Sequence, residues 1–147
     1  RENILDMGSG GGLPGMPIAI KYPSKKIYLV ESKQKKASFL LHAKNIMNLT
    51  NVTIIHSRVE DIEAQKLSSP LDIIARAFGN TESAVKASAH LLELPDTRLN
   101  LMKTVQKEPP ENPPPGYETA RLEKICRKEK DKQHILVTIE KKIRKIV

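Results

Sequence analysis

Glycines and carboxylates set where strands should end carry most of the chemistry open to this sequence. In residues 3–15, NILDMGSGGGLPG, an apolar run meets Asp6 and then Gly8, Gly10, Gly11, Gly12 and Gly15 in quick succession. A glycine has no Cβ, so a ligand can lie against its main chain where a larger residue would block it. Such a run between a strand and a helix N-terminus is the build of a nucleotide-cofactor pocket. An ordinary strand-to-helix turn needs far fewer glycines.

Two registers fit the run. From Gly10 the spacing is G-x-G-x-x-G (Gly10, Gly12, Gly15), the dinucleotide fingerprint, which expects a pyrophosphate on the helix N-terminus. From Asp6 it is D-x-G-x-G-x-G (Asp6, Gly8, Gly10, Gly12), the pattern of S-adenosylmethionine-dependent methyltransferases. The longer register also accounts for Asp6, expected to face the sulfonium and ammonium groups of that cofactor, whereas a pyrophosphate would be repelled. Glu31 stands 23 positions after Gly8, close to the offset at which a carboxylate accepts bonds from ribose hydroxyls. Its plainer alternatives are to cap the following helix or to pair with Lys35. Glu60 and Asp61, in SRVED, are either the acids beside an adenine ring or a solvated pair. His42, His56, His90 and His134 lack metal-ligand spacing, so no metal site is expected. Cys126 has no partner histidine nearby and is not expected to act as a nucleophile.

The elements that must hold these groups alternate strand and helix. Strands are expected over 3–7, 26–30, 52–56, 71–75 and 98–102. Helices are expected over 17–22, entered through Pro14, over 32–49 with Ser32 as N-cap, and over 82–92. In the second helix Phe39, Leu40, Ala43, Ile46 and Met47 recur at helical spacing and are expected to face the core. Strands separated by helices imply a parallel sheet with right-handed crossovers. The stretch 107–116, KEPPENPPPG, has too many prolines for a helix or a central strand. It reads as a loop on the ligand side of the sheet. Beyond it, 118–127 and 133–142 read as an antiparallel hairpin closed by the charged turn 128–132. The expected fold is therefore α/β: a Rossmann-like, class I methyltransferase domain, mostly parallel, with helices on both faces and a C-terminal antiparallel hairpin.

Length and charge bound the partners. At 147 residues the chain is expected to form one domain, 1–147, with a core that needs no staple. One cysteine and no long apolar run point to a cytoplasmic compartment and away from a membrane. Absence of an initiating methionine suggests that the natural chain extends upstream. The formal net charge is +8, from 25 Lys and Arg against 17 Asp and Glu. Lys33, Lys35, Lys36 and Lys44 fall in a stretch without acids, and the C-terminal 31 residues carry ten basic against five acidic residues. Two basic zones suggest a polyanion, with nucleic acid the first candidate and a solvated lysine-rich surface the plain alternative. Aromatic residues make up 3% of the chain, too few for a stacking platform, so nucleic-acid binding would rest on phosphate contacts and shape. No dimer seam is visible, and a monomer is expected.

In this order DMGSGGGLPGMPIAI, LVESKQKKASFL, NVTIIHSRVEDI, IIARAF and HILVTIEK resemble the RsmG proteins, also called glucose-inhibited division protein B. The Gly-Leu-Pro-Gly ending and the Arg-Ala-Phe after the fourth strand are the more specific parts. The resemblance implies methyl transfer from S-adenosylmethionine to N7 of a guanine in 16S ribosomal RNA, nucleotide 527 in standard numbering, near the decoding centre. The partner is then 16S rRNA or the small ribosomal subunit. It also implies cofactor contacts at Gly8, Leu13, Val59, Glu60 and Arg76, to which the residue reading adds Gly10 and Glu31. A guanidinium beside a sulfonium is repulsive, so Arg76 suits the methionine carboxylate or an RNA phosphate better. Lys35, Lys36, Lys103 and His134 are the candidates for RNA contact. The family carries an N-terminal helical segment that this sequence lacks, and its Lys-Gly after the fifth strand is here Lys103-Thr104. Guanine N7 has an in-plane lone pair and no proton, so no general base is expected. The competing readings are an NAD-dependent Rossmann oxidoreductase and a noncatalytic RNA-binding or assembly module.

Overall fold

The structure, a computed structural model, describes residues 1–105, 110–125 and 133–142. Cys126, the 128–132 turn and residues 107–109 of the proline-rich stretch lie outside the described residues. Seven strands form one sheet: β1 (Asn3–Met7), β2 (Lys26–Val30), β3 (Val52–Ile55), β4 (Leu71–Arg76), β5 (Arg98–Val105), β6 (Tyr117–Lys124) and β7 (Gln133–Lys141). Three α-helices, α1 (Gly15–Lys21), α2 (Gln34–Ile46) and α3 (Thr81–Ser88), connect the parallel strands. The strand order is β3-β2-β1-β4-β5-β7-β6. Strands β1 to β5 pair in parallel, while β7 runs antiparallel between β5 and β6.

Alternation along β1 divides the core. Leu5 and Met7 join α3 and the hairpin strand β7 in the larger apolar cluster, with Val85, Leu91, Leu99 and Ile139. Ile4 points the other way, toward Met16 and Ala19 of α1 and Leu40 of α2. Period two in the strand thus feeds two helical layers, one on each face of the sheet. Order reverses at the β1–β4 pair, where the β1 loop leads to one face and the β4 loop to the other. A crevice at the carboxyl ends of the strands follows from that reversal.

Two expectations on α2 are corrected. Its N-cap is Lys33 rather than Ser32, and no side chain caps the helix. Only Ala37 and Leu40 are buried on it, whereas Phe39, Ile46 and Met47 are 54%, 67% and 40% exposed. Successive residues turn by about 100° around a helix, so Phe39 and Leu41 stand to either side of the inward Leu40 and Ile46 lies still farther round. The small residues Ala37 and Ala43 let the helix sit low on the edge of the sheet. Helix α3 begins one residue earlier than expected because Asn80 caps it, its side-chain oxygen accepting the Ser83 N–H at 2.8 Å.

Candidate functional site

The glycine loop is built on three left-handed glycines. Gly8, Gly10 and Gly12 have φ of 73°, 56° and 87°, a region that other residues enter at a cost of about 1–2 kcal/mol. Gly12 N–H donates to Ser9 O at 2.7 Å and Met16 N–H to Gly12 O at 2.7 Å, which turns the chain straight into α1. A Cβ on Gly8 would stand 3.1 Å from the Phe78 ring, so the loop and the turn after β4 touch only because that position is bare.

Asp6 does not face the cleft, contrary to the expectation that it would meet a cationic cofactor. It is 1% exposed, and its Oδ2 accepts the Gly15 N–H at 2.9 Å. Alternation places Asp6 on the α1 side of β1, beneath the first turn of that helix. A Cβ on Gly15 would lie 2.7 Å from the same Oδ2 and would also strike Leu29. Burial pushes the Asp6 carboxyl up to about 6, with the Gly15 N–H pulling the other way. Asp6 is thus the fastening between β1 and α1.

Glu31 reaches the loop from the end of β2. It is 6% exposed, and its two oxygens accept the Gly10 N–H at 2.9 Å and the Lys33 N–H at 2.8 Å. The carboxylate braces the glycine loop from one side and starts α2 from the other. Each oxygen keeps a further lone pair, so the side chain can still accept from a hydroxyl. Beyond β3 the chain makes a single 3-10 turn at Val59–Asp61. Val59 is 4% exposed and forms a floor, while Glu60 is exposed. With Gly8, Val30, Ser32 and Phe78 they line a narrow cleft of about 110 Å³.

A larger recess of about 460 Å³ adjoins it over the carboxyl ends of β4 and β5, lined by Arg76, Phe78, Gly79, Met102, Lys103 and Thr104. Phe78 borders both spaces. Ala77 and Gly79 on either side of it both have positive φ, 55° and 59°, and a left-handed alanine is a strained turn that aims the ring. Lys103 Nζ donates to Glu111 Oε2 at 3.0 Å, and the Thr81 N–H donates to the same oxygen at 2.7 Å. The Thr81 N–H, followed by Lys103, holds the Glu111 carboxyl down at about 2. His134, on β7 opposite Thr104, lies 3.1 Å from the Thr104 hydroxyl through Nδ1.

The pattern of the GidB family, rRNA small subunit methyltransferase G, matches residues 1–147. The chain belongs to that family. It is 44% identical over 92 residues to the ribosomal RNA small subunit methyltransferase G of Pseudomonas putida, a match covering 62% of this chain and 41% of the relative. The Pseudomonas aeruginosa relative gives 44% over 91 residues, with 61% and 41% covered. The matched stretch therefore spans about two fifths of the length of these curated relatives. The solved structure of M. jannaschii TYW2 in complex with AdoMet superposes with a TM-score of 0.64 at 20% identity, covering 96% of this chain and 69% of that one. An rRNA methylase from Streptococcus thermophilus gives 0.62 at 14% identity, covering 96% and 87%. The fold is the Rossmann-like, class I methyltransferase fold.

Within that family frame the expected residues divide between the two spaces. Gly8, Val59 and Glu60 gather at the narrow cleft, with Gly10 and Glu31 bonded to each other beside it. Arg76 stands apart from them in the larger recess, together with Lys103. Leu13, 51% exposed, is on the outer side of the glycine loop and does not line the cleft. Lys35 and Lys36 are exposed on the first turn of α2, at the same rim of the sheet. The sequence pattern gives no role to Phe78 or Glu111. The Arg-Ala-Phe motif contained a signal for the first, since a large aromatic just past a strand end rarely faces water. For Glu111 there was none, because its partners lie 30 and 8 positions away. Among the described residues no group of His, Cys, Asp and Glu gathers as a metal site, and no helix is long and apolar enough to cross a membrane.

Proposed function

We propose that this chain is a single methyltransferase domain, acting as a monomer in the cytoplasm, that transfers a methyl group from S-adenosylmethionine to N7 of a guanine in 16S rRNA, at nucleotide 527. One observation carries the reading: two spaces at the carboxyl edge of the sheet, one walled by the glycine loop and one by cations, share Phe78. The residues present fit the cofactor. Gly8 is bare where a Cβ would close on Phe78, Glu31 retains acceptor capacity for ribose hydroxyls, and Glu60 and the Ser57–Val59 backbone flank the place for an adenine. Bound S-adenosylmethionine supplies an electrophilic methyl group on a sulfonium.

What remains for the protein is placement. Guanine N7 offers its lone pair in the plane of the ring and carries no proton, so no side chain has to remove one. Alignment of reacting atoms in a near-attack geometry is worth roughly 7–11 kcal/mol. Arg76 and Lys103 line the space where a negatively charged strand would lie, and Phe78 separates it from the cleft. The relatives' name, ribosomal RNA small subunit methyltransferase G, supports rRNA as the substrate class.

Two measurements test this. Calorimetric titration should show binding of S-adenosylhomocysteine and none of NADH; the reverse would make the chain a dinucleotide enzyme. Methyl transfer from labelled S-adenosylmethionine should then be followed on small subunits lacking the modification. Label at any position other than guanine N7 would refute the assignment.

A further inference from the structure

The Glu111 carboxylate occupies a seat made for an anion. One of its oxygens, Oε2, takes both the Thr81 N–H, at the first position of α3, and the Lys103 ammonium. Helix N-termini favour negative charge, and an ammonium beside one adds to the attraction. The seat is nevertheless only half used. Thr81 is 1% exposed, and its hydroxyl lies beside the carboxylate, near enough to help hold it ionised, but without the geometry of a completed hydrogen bond. Arg76 lines the adjoining recess and, among the described residues, makes no ion pair.

We propose that the Thr81–Lys103 seat receives a phosphodiester of the RNA strand, and that Glu111 is its intramolecular occupant until RNA displaces it. The inference rests on the methyltransferase reading for its ligand. A phosphodiester has two non-bridging oxygens in a tetrahedral arrangement. One can take the Thr81 N–H and Lys103, as Oε2 does, and the other the Thr81 hydroxyl. Glu111 itself is exposed, so the carboxylate that leaves is rehydrated at once. Contacts of this kind fix register along the strand and carry no sequence information. With a native carboxylate in the seat, weak polyanion binding is discouraged and only a strand held elsewhere on the rim displaces it.

The test compares Glu111→Ala and Glu111→Gln with wild type, using anisotropy of a fluorescein-labelled single-stranded RNA at low salt. Both variants should bind roughly three- to tenfold tighter, as expected for one phosphate contact released from competition. Adding Thr81→Val, which keeps the N–H and removes the hydroxyl, or Lys103→Gln, should cancel the gain. Equal RNA affinity in wild type and both Glu111 variants overturns the proposal. So does competition by inorganic phosphate that displaces the RNA at equal phosphate concentration, which would assign the seat to a free ion. S-adenosylhomocysteine affinity is measured on the same samples. Its absence from the wild type would refute the methyltransferase reading, while the RNA comparison still judges the seat.

Discussion

Glu31 shows how a single side chain can be legible in position and illegible in task. Its offset from Gly8 marks it as a carboxylate at the end of β2, which is where it stands. The structure adds that both its oxygens already hold backbone amides, of Gly10 and Lys33. No side-chain pattern could reveal this, because the partners are main-chain groups and every residue but proline has the same donor. Glu31→Gln leaves one oxygen for two N–H groups and turns an NH₂ toward one of them. We expect a loss of about 1–3 kcal/mol in urea unfolding, the cost of a buried donor left unpaired, together with weaker S-adenosylhomocysteine binding. Glu60→Gln, at an exposed site, should leave stability within about 0.5 kcal/mol of wild type. Equal stability of the two variants would show that Glu31 does not brace the loop. Leu13 and Arg76 are the complementary case: their motifs are specific, but a motif does not say that Leu13 lines neither space or that Arg76 borders the larger recess rather than the cleft.

At the scale of elements, the strands were the most readable part. Asn3–Met7 and Lys26–Val30 form strands over the expected residues, because buried parallel strands are short, dense apolar runs bounded by turn residues. Helix α2 misled through its apolar stripe, since the sheet edge under it has room only for Ala37 and Leu40. The joint between β1 and α1 also departs from expectation, with Asp6 buried beneath α1, and it carries a pH dependence. Asp6 has an ordinary carboxyl value of 3.8 and is raised to about 6 by burial. Between those values the folded state holds a proton that the unfolded state has released, so stability falls as pH rises through the window. The full difference is about 3 kcal/mol at roughly 1.4 kcal/mol per unit. Asp6→Asn keeps an acceptor for the Gly15 N–H and removes the charge. Its stability relative to wild type should therefore be near parity below pH 3.8 and grow to at most about 3 kcal/mol above pH 6. Glu111, whose carboxyl is lowered from 4.5 to about 2, loses its contribution as pH falls through that range in both proteins alike, so it cancels from the comparison. A gap between Asp6→Asn and wild type that stays constant with pH would mean that Asp6 is not buried as a charge.

At the scale of the molecule, the topology turns scattered basic residues into one edge. Every parallel strand ends on the same side, and the helices that follow begin there. Lys35 and Lys36 at the start of α2, Arg58 after β3, Arg76 at the end of β4 and Lys103 near the end of β5 therefore share the rim that bears the glycine loop. Composition announced the surplus of charge, and the strand order, which no local pattern states, decides where it is displayed. Lys21 and Lys26 belong to the opposite edge, at the end of α1 and the start of β2. Each phosphate neutralised on a single strand adds about 0.7 to the slope of log affinity against log salt. The pair Lys35→Gln and Lys36→Gln should thus weaken RNA binding and flatten that slope by up to about 1.4, if both lysines meet phosphates. Lys21→Gln with Lys26→Gln, the same change in net charge, should leave the slope where it was. Equal effects from the two pairs would mean that RNA responds to total charge alone. The rim would then be a solvated lysine-rich surface, and the strand would have to be held by the Arg76 and Lys103 recess without help from α2.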